Sequence, residues 1–320
     1  MSPIERVKLN DDREGWLRDR LGFVNASEMA IVCGEGAWGS LAELFAEKKG
    51  LRPPREDSGV LRRGRWGEGA VFEALRDEQP EWQILRAKIH VRDTERRIAC
   101  TPDGFAIAPD RSGPGVVQAK VVSRSIFRDK WLNDPEERVK FGDATPPRHY
   151  VIQTVTEMML NNSAWGVLAV LINGEYDWDF RLFDVERDEV IEDRIIYRTE
   201  SFFRDHLDPG IMPPYDPQRD EALVKALYPK DTGTTIDLST DNRALAAVED
   251  LEQTQAALKR MEKQEKALKT ELEGKIGDNT YALLSDGRCL SWKMQHRKGY
   301  SVEPNDFRVL RILQQKPGIA

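Results

Sequence analysis

Four side chains pose the chemical question: Glu68, Asp103 in Thr101-Pro102-Asp103-Gly104, and Gln118 and Lys120 in Val117-Gln118-Ala119-Lys120. Two carboxylates, an amide and an ammonium are the groups that cation-assisted hydrolysis of a phosphodiester uses. Carboxylate and carbonyl oxygens hold a hard divalent cation, and the cation binds phosphate oxygens. Lys120 follows Gln118 by two positions, so on a strand both side chains leave by one face. An ammonium there would orient or deprotonate an attacking water.

Such groups need elements to bring them together. Arg97 to Thr101 reads as a short strand entering a Pro-Asp-Gly turn, and Val116 to Val122 as a second strand after Gly113-Pro114-Gly115. A hairpin of these two strands would set Asp103 beside Gln118. Gly64-Arg65-Trp66-Gly67-Glu68 opens a helical stretch in which Val71, Phe72 and Leu75 recur at helical spacing, placing Glu68 in the first turn. Helices are expected up to Leu21, over Ala26 to Val32 and over Leu41 to Lys49, with strands at Trp82 to Leu85 and Ile89 to Val91. Pro53-Pro54 begins a charged loop, and a second one covers Asp134 to Asp143. A helix from His149 to Leu160 carries Gln153. Trp165 to Ile172 and Tyr176 to Phe183 form strands joined at Asn173-Gly174, and Glu192 to His206 is a closing helix.

In five ordered blocks the chain resembles the phage lambda exonuclease and viral-recombinase (YqaJ-type) nuclease family of the PD-(D/E)XK superfamily. The blocks are Trp16 to Gly22 with Asn25 to Glu28, Gly64 to Glu68, Arg97 to Gly104, Gln118 to Lys120, and Tyr150 to Gln153 running on to Met158. The resemblance covers roughly Trp16 to His206. It implies an α/β fold with a restriction-endonuclease-like PD-(D/E)XK core, a mixed central sheet flanked by helices. Glu68, Asp103, Gln118 and the Ala119 carbonyl would surround two Mg²⁺ ions, for which Mn²⁺ could substitute. Lys120 would act on the water, and Gln153 would orient Lys120 with support from Tyr150. Arg20 and Ser27 match the family's pocket for a DNA 5′-phosphate. Arginine grips phosphate oxygens in pairs, and Ser27 would cap a helix beginning at Glu28. Thr101, with Tyr150, would add contacts to the DNA.

The family usually carries Glu where this chain has Gln118. An amide oxygen still coordinates Mg²⁺ but brings no charge, so a second ion should bind more weakly. Glu157, one helical turn beyond Gln153, is a candidate for the missing charge.

Composition sets the bounds. At 320 residues the chain can bury an α/β core with room for one appendage. Its 40% hydrophobic and 32% charged residues describe a globular protein without a membrane span. The start of the chain has neither a basic nor an apolar leader, so the cytoplasm is expected; the resemblance implies a bacterial host and a phage or prophage origin. The three cysteines and four histidines show no metal-ligand spacing, which argues against zinc, iron–sulfur and disulfide frameworks. Net charge is −7, yet Lys48, Lys49, Arg52 and Arg55, then Arg62, Arg63 and Arg65, then Arg124, Arg128 and Lys130 flank the proposed site. Together they would make a cationic groove on an acidic body.

The expected division is a nuclease domain over 1–208, a linker over 209–240 and an appendage over 241–320. In the appendage Leu251, Leu258, Met261, Leu268 and Leu272 fall on three–four spacing, a long amphipathic helix of coiled-coil type. Tyr281 to Leu284 and Cys289 to Trp292 form a hairpin, and a terminal helix runs from Asp306 through Leu313. The stripe would pack within its own domain, meet a partner or grip DNA.

The resemblance implies a Mg²⁺-dependent 5′→3′ exonuclease acting on double-stranded DNA ends, leaving 3′ overhangs for a phage single-strand annealing protein. It also implies a homotrimeric ring. Two alternatives stay open: an endonuclease or defence nuclease on the same core, and a non-catalytic DNA-end binder resulting from Gln118.

Overall fold

The computed structural model describes residues 4–8, 13–36, 38–52, 58–132, 144–296, 298, 299, 306 and 308–312. The loop at Pro53-Pro54 with Arg55, and the charged loop over 134–143, lie outside them. The chain divides into two compact units, Met1–Leu227 and Tyr228–Ala320.

The first unit is built on two sheets. Its five-stranded sheet has the order β3 (Gln83–Arg86), β6 (Gly104–Ile107), β7 (Gly115–Ser123), β8 (Trp165–Asn173), β9 (Trp178–Glu186). Only β7 and β8 run parallel, so the sheet is mixed. The crossover between them holds α5 (Arg124–Trp131) and α6 (Arg148–Asn161). β8 reads Trp-Gly-Val-Leu-Ala-Val-Leu-Ile-Asn and is buried along all but its last residue, as a strand covered on both faces must be. One face packs on α6 and on α2 (Ala26–Val32) and α7 (Glu189–Phe202), through Val116, Val122, Val155, Leu168 and Ile195. The other packs on α4 (Gly59–Glu78), through Val71, Phe72, Leu75, Val117 and Val167.

The smaller sheet has the order β1 (Ile4–Lys8), β4 (Ile89–Asp93), β5 (Ile98–Cys100), β2 (Val24–Asn25). Here the structure corrects the expected hairpin. The strand before the Pro-Asp-Gly turn joins this second sheet, and the partner of β7 is β6, after the turn, with Gly104 opposite Val117. Pro102 lacks an N–H and cannot extend a ladder through the turn, so the chain changes sheets there. Asp103 sits at that crossing. The expected proximity to Gln118 holds, by a different pairing.

A second correction concerns α4. It starts at Gly59, where the Ser58 hydroxyl accepts from Leu61 N–H at 3.3 Å, so Glu68 lies in mid-helix. Gly67 lets this helix close onto β7, since a Cβ there would lie 2.7 Å from Val121 Cγ2. Gly104 does the same on β6, where a Cβ would meet the Phe72 ring at 2.6 Å.

α1 (Arg13–Leu21) precedes α2, and α3 (Leu41–Lys48) follows it, capped by the Ser40 hydroxyl accepting from Glu43 N–H at 2.9 Å. α7 continues into a π-helical turn, Phe203–Leu207. In the stretch expected as a linker, α8 (Glu221–Leu227) buries Leu223 beside Ala42 and Ala46 of α3.

The second unit holds α9 (Asn242–Ile276) and the hairpin of β10 (Tyr281–Leu283) with β11 (Cys289–Ser291). Asp241 caps α9 by accepting from the N–H groups of Arg243 and Ala244, and Gly277 ends it at φ 57°. Leu258, Met261, Leu268 and Leu272 are exposed along it. Residues 308–312 form no helix, contrary to the helix expected there.

Candidate active site

β7 presents alternate side chains to opposite helices. Val117, Ala119 and Val121 face the α4 core, while Gln118 and Lys120 turn toward α6. On α6, Gln153 meets both. Its Oε1 accepts from Lys120 Nζ at 3.2 Å, and its Nε2 donates to Gln118 Oε1 at 3.0 Å and to Glu157 Oε1 at 3.1 Å. The Lys120 ammonium also stands 5.0 Å from the centre of the Tyr150 ring.

Asp103 closes the arrangement from the turn before β6. Its Oδ2 accepts from Ala119 N–H at 2.9 Å and from Gln118 Nε2. Burial pushes the Asp103 carboxyl up to about 6; Glu68 adds to the rise, while Lys120, the Ala119 N–H and Arg86 oppose it. Burial likewise lowers the Lys120 pKa, against the pull of Asp103, Glu157 and Glu68. Glu68 reaches the same field from α4, and its Oε1 is held by Arg86 of β3 at 2.5 Å. Five predicted residues, Asp103, Gln118, Ala119, Lys120 and Gln153, are therefore linked by hydrogen bonds, with Glu68 alongside.

Glu157 is fully buried, and its Oε2 has no hydrogen-bond partner. Burial, then Asp103, raises its pKa well above the ordinary carboxylate value. Both effects disfavour its charged form. That weakens its candidacy as the source of a charge missing at Gln118.

Do these groups suit a metal? Among the described residues no group of three or more His, Cys, Asp or Glu side chains is placed to hold one. Asp103 and Glu68 are carboxylates that act on Lys120, and Gln118 beside Asp103 is an amide. The donors are nevertheless all oxygen, and Asp103 and Glu68 repel each other in a buried setting that a divalent cation would relieve. The set fits one hard cation. Gln118 would have to exchange its amide nitrogen for its oxygen on the Asp103 side to join it.

The predicted phosphate residues form a separate cluster. Arg20 Nη2 lies 3.2 Å from Ser27 Oγ and 3.2 Å from Glu28 Oε1, with its guanidinium over the Trp16 ring. Buried Lys48 donates to Glu28 Oε2 at 2.7 Å and to the Arg20 carbonyl at 2.8 Å. Two cations thus share one carboxylate, leaving a positive surplus at Arg20 and Ser27. Beside them a cavity of about 480 Å³ is lined by Arg18, Arg20, Lys48 and Arg52, with Glu28 and Glu47. The capping expectation is corrected here. α2 begins at Ala26, Asn25 is its N-cap and Ser27 lies in its first turn, because Glu28 Oε2 accepts from Asn25 N–H at 2.9 Å and fixes the start two residues earlier.

Thr101 Oγ1 is 3.0 Å from Nδ1 of buried His90, whose Nε2 lies 3.2 Å from Asp19 Oδ2. His90 thereby joins the turn before Asp103 to α1. The expected cationic groove is partly consumed by ion pairs: Lys48 with Glu28, Arg52 with Glu43, Arg124 with Asp177 and Arg128 with Asp129.

Arg86 escaped the sequence reading, as did the partners of His90 and of Lys48. Arg86, His90 and Lys48 sit outside the catalytic blocks, and the role of each depends on a partner distant in sequence. An alternating Ile-His-Val strand with a buried middle was the one available signal, for His90.

Residues 15–163 match the family model of the YqaJ-like viral recombinase domain. The protein YqaJ of Bacillus subtilis is 22% identical over 288 residues, covering 88% of this chain and 83% of its own length. Among solved structures, the alkaline exonuclease of Laribacter hongkongensis aligns with TM-score 0.45 and 21% identity, over 62% of this chain and 94% of its own. A phage-related exonuclease from Haemophilus somnus aligns with TM-score 0.43 and 13% identity, over 58% of this chain and 96% of its own. No helix among the described residues is long and apolar enough to cross a membrane.

Proposed function

We propose, from the match of residues 15–163 to the YqaJ-like viral recombinase domain model, that this chain is a nuclease of PD-(D/E)XK type. Its substrate is double-stranded DNA entered from an end, and one strand is hydrolysed 5′→3′ to leave a 3′ overhang. The observation that carries this reading is the Gln153 side chain, which binds Gln118 and Lys120 together on one face of β7 next to Asp103. That cluster falls inside the matched segment.

Each group has a role. Lys120 Nζ, held by Gln153 and by the Tyr150 ring, orients the attacking water and receives or shares its proton. Gln153 fixes the lysine rather than touching substrate. Glu68, Asp103, Gln118 and the Ala119 carbonyl would hold Mg²⁺, with Mn²⁺ able to replace it. When bound, the cation supplies charge to stabilise the phosphorane-like transition state and the leaving 3′-oxygen. Arg20 and Ser27 take the terminal 5′-phosphate, which sets the register of cleavage. The Thr101 hydroxyl lies close enough to Asp103 in sequence to contact the scissile phosphate. Overhangs of this kind suit a single-strand annealing protein as partner, and a ring of three subunits would keep the enzyme on its DNA.

One assay tests the reading. Linear duplex with 5′-phosphates and covalently closed circles are each incubated with Mg²⁺ or chelator. Nucleotide release from the linear duplex alone, and only with Mg²⁺, is expected. Cleavage of closed circles would instead establish an endonuclease, and binding to ends without release would establish an end binder.

A further inference from the structure

A ladder of aromatic rings leads outward from the Lys120 ammonium. Tyr150, the first ring, has its centre 5.0 Å from Nζ. His149 follows at 4.1 Å from Tyr150, and Trp38 stands edge-to-face with His149 at 6.0 Å and 89°. The inner rings are partly buried, whereas Trp38 is 62% exposed. Two elements make the ladder, since Tyr150 and His149 open α6 while Trp38 comes from the loop between α2 and α3. The Arg148–Glu35 ion pair, 3.2 Å long, ties that loop to α6 beside the rings.

An exposed tryptophan at the end of such a series costs hydrophobic surface in water, and the core gains nothing from it. The Nε2 of His149 has no hydrogen-bond partner. Burial and then Lys120 lower its pKa, so it serves as a neutral ring. What the row offers is π-surface beside a cation, with the exposed Arg148 guanidinium adjoining it. Nucleobases stacked on aromatic rings, with their phosphates near cations, are what such surfaces bind, whatever the base sequence. The steps of 4.1 and 6.0 Å between successive rings are comparable to one or two nucleotides of a stacked strand, at about 3.4 Å per nucleotide.

Resting on the nuclease reading, we infer that Trp38 is a stacking platform for an unpaired nucleobase of the DNA strand that runs past Lys120, with His149 and Tyr150 as the supporting rings. The platform would hold the strand without reading its sequence.

The test is binding of a labelled single-stranded oligothymidylate, and of the same oligonucleotide with abasic sites, to the full chain in chelator. Wild type, Trp38→Ala and Trp38→Phe are compared by anisotropy, with thermal melts as the folding control. Trp38→Ala should weaken binding of the base-bearing strand by on the order of ten- to a hundred-fold and leave abasic binding as it was. Trp38→Phe should recover most of the loss. Equal loss on both strands would mean a merely structural role, and no loss on either would remove the platform while sparing the nuclease reading. Failure of the wild type to bind either strand would overturn the platform, whereas the nuclease reading stands or falls on release from the linear duplex.

Discussion

Gln153 donates to Gln118 Oε1 at 3.0 Å, and this bond turns the Gln118 amide nitrogen toward Asp103. The two amides are thereby coupled. Gln118 can present its oxygen on the Asp103 side only if Gln153 offers an acceptor in place of its donor. A carboxylate at position 118 has no such dilemma, since it accepts from Gln153 and faces the cation at once. Gln118→Glu should therefore tighten Mg²⁺ binding, by roughly ten-fold, as adding a charged ligand does at oxygen sites. Calorimetric titration of Mg²⁺ into both proteins checks this, and unchanged affinity would show that position 118 does not reach the ion.

Lys120→Ala should lower hydrolysis by about a hundred-fold or more, the usual scale for losing a positioned acid–base group. Binding of duplex ends should survive, because Arg20 and Ser27 are elsewhere in the unit. Single-turnover rates and end-binding affinities separate the two effects.

Stability of the metal-free protein should depend on pH with an unusual sign. The Asp103 carboxyl is raised from 3.8 to about 6 on folding, so the native state holds a proton that the unfolded chain has already released. Stability is then fullest below the unfolded value and declines as pH rises through about 6. Glu157, raised well above 4.5, contributes in the same direction. Denaturant melts across pH 4 to 8 should show this fall, and Asp103→Asn should flatten its lower part. Mg²⁺ should bind better over the same interval as Asp103 ionises.

Glu157→Gln should stabilise the metal-free protein at neutral pH, since a neutral amide of equal size removes the cost of burying a carboxyl that is ionised in the unfolded chain. Its Oε1 can still accept from Gln153. Glu157→Ala should destabilise by about 2–4 kcal/mol through the cavity it leaves, and should free Gln153. If both variants kept wild-type hydrolysis, Glu157 would play no part in holding Gln153.

Gly67→Ala should displace α4 from β7, because the added Cβ would sit 2.7 Å from Val121 Cγ2. A destabilisation of about 1–3 kcal/mol is expected, with lost activity because Glu68 is the next residue. Val121→Ala in the same chain should recover part of both, as read by melts and rates.

Much of this site was legible in the sequence. The period-two placement of Gln118 and Lys120 fixed their common face, and β7 honours it because strand geometry leaves no other choice. Elements spaced by clear breakers, such as α6 after Pro146-Pro147 or the Asn173-Gly174 turn between β8 and β9, also emerged near their expected bounds. What stayed hidden depended on partners far along the chain. Gly104 to Ile107 is too short to announce a strand, and which of two segments pairs with β7 is decided by the sheet each one reaches. The true start of α4 was masked by its glycines, which lower helix propensity but are required where the helix meets β7. Lys48 looked like a surface cation because nothing local reveals that Glu28 awaits it in the interior.

The most direct test of the central claim is the Mg²⁺-dependent rate of nucleotide release from a 5′-phosphorylated linear duplex by Asp103→Asn and Glu68→Gln. Each substitution keeps the side-chain size and removes one acidic donor. We predict loss of at least about a hundred-fold in each while the proteins remain folded and bind DNA ends. Release at the wild-type rate by either folded variant would contradict an oxygen-liganded hydrolytic centre built on these two carboxylates.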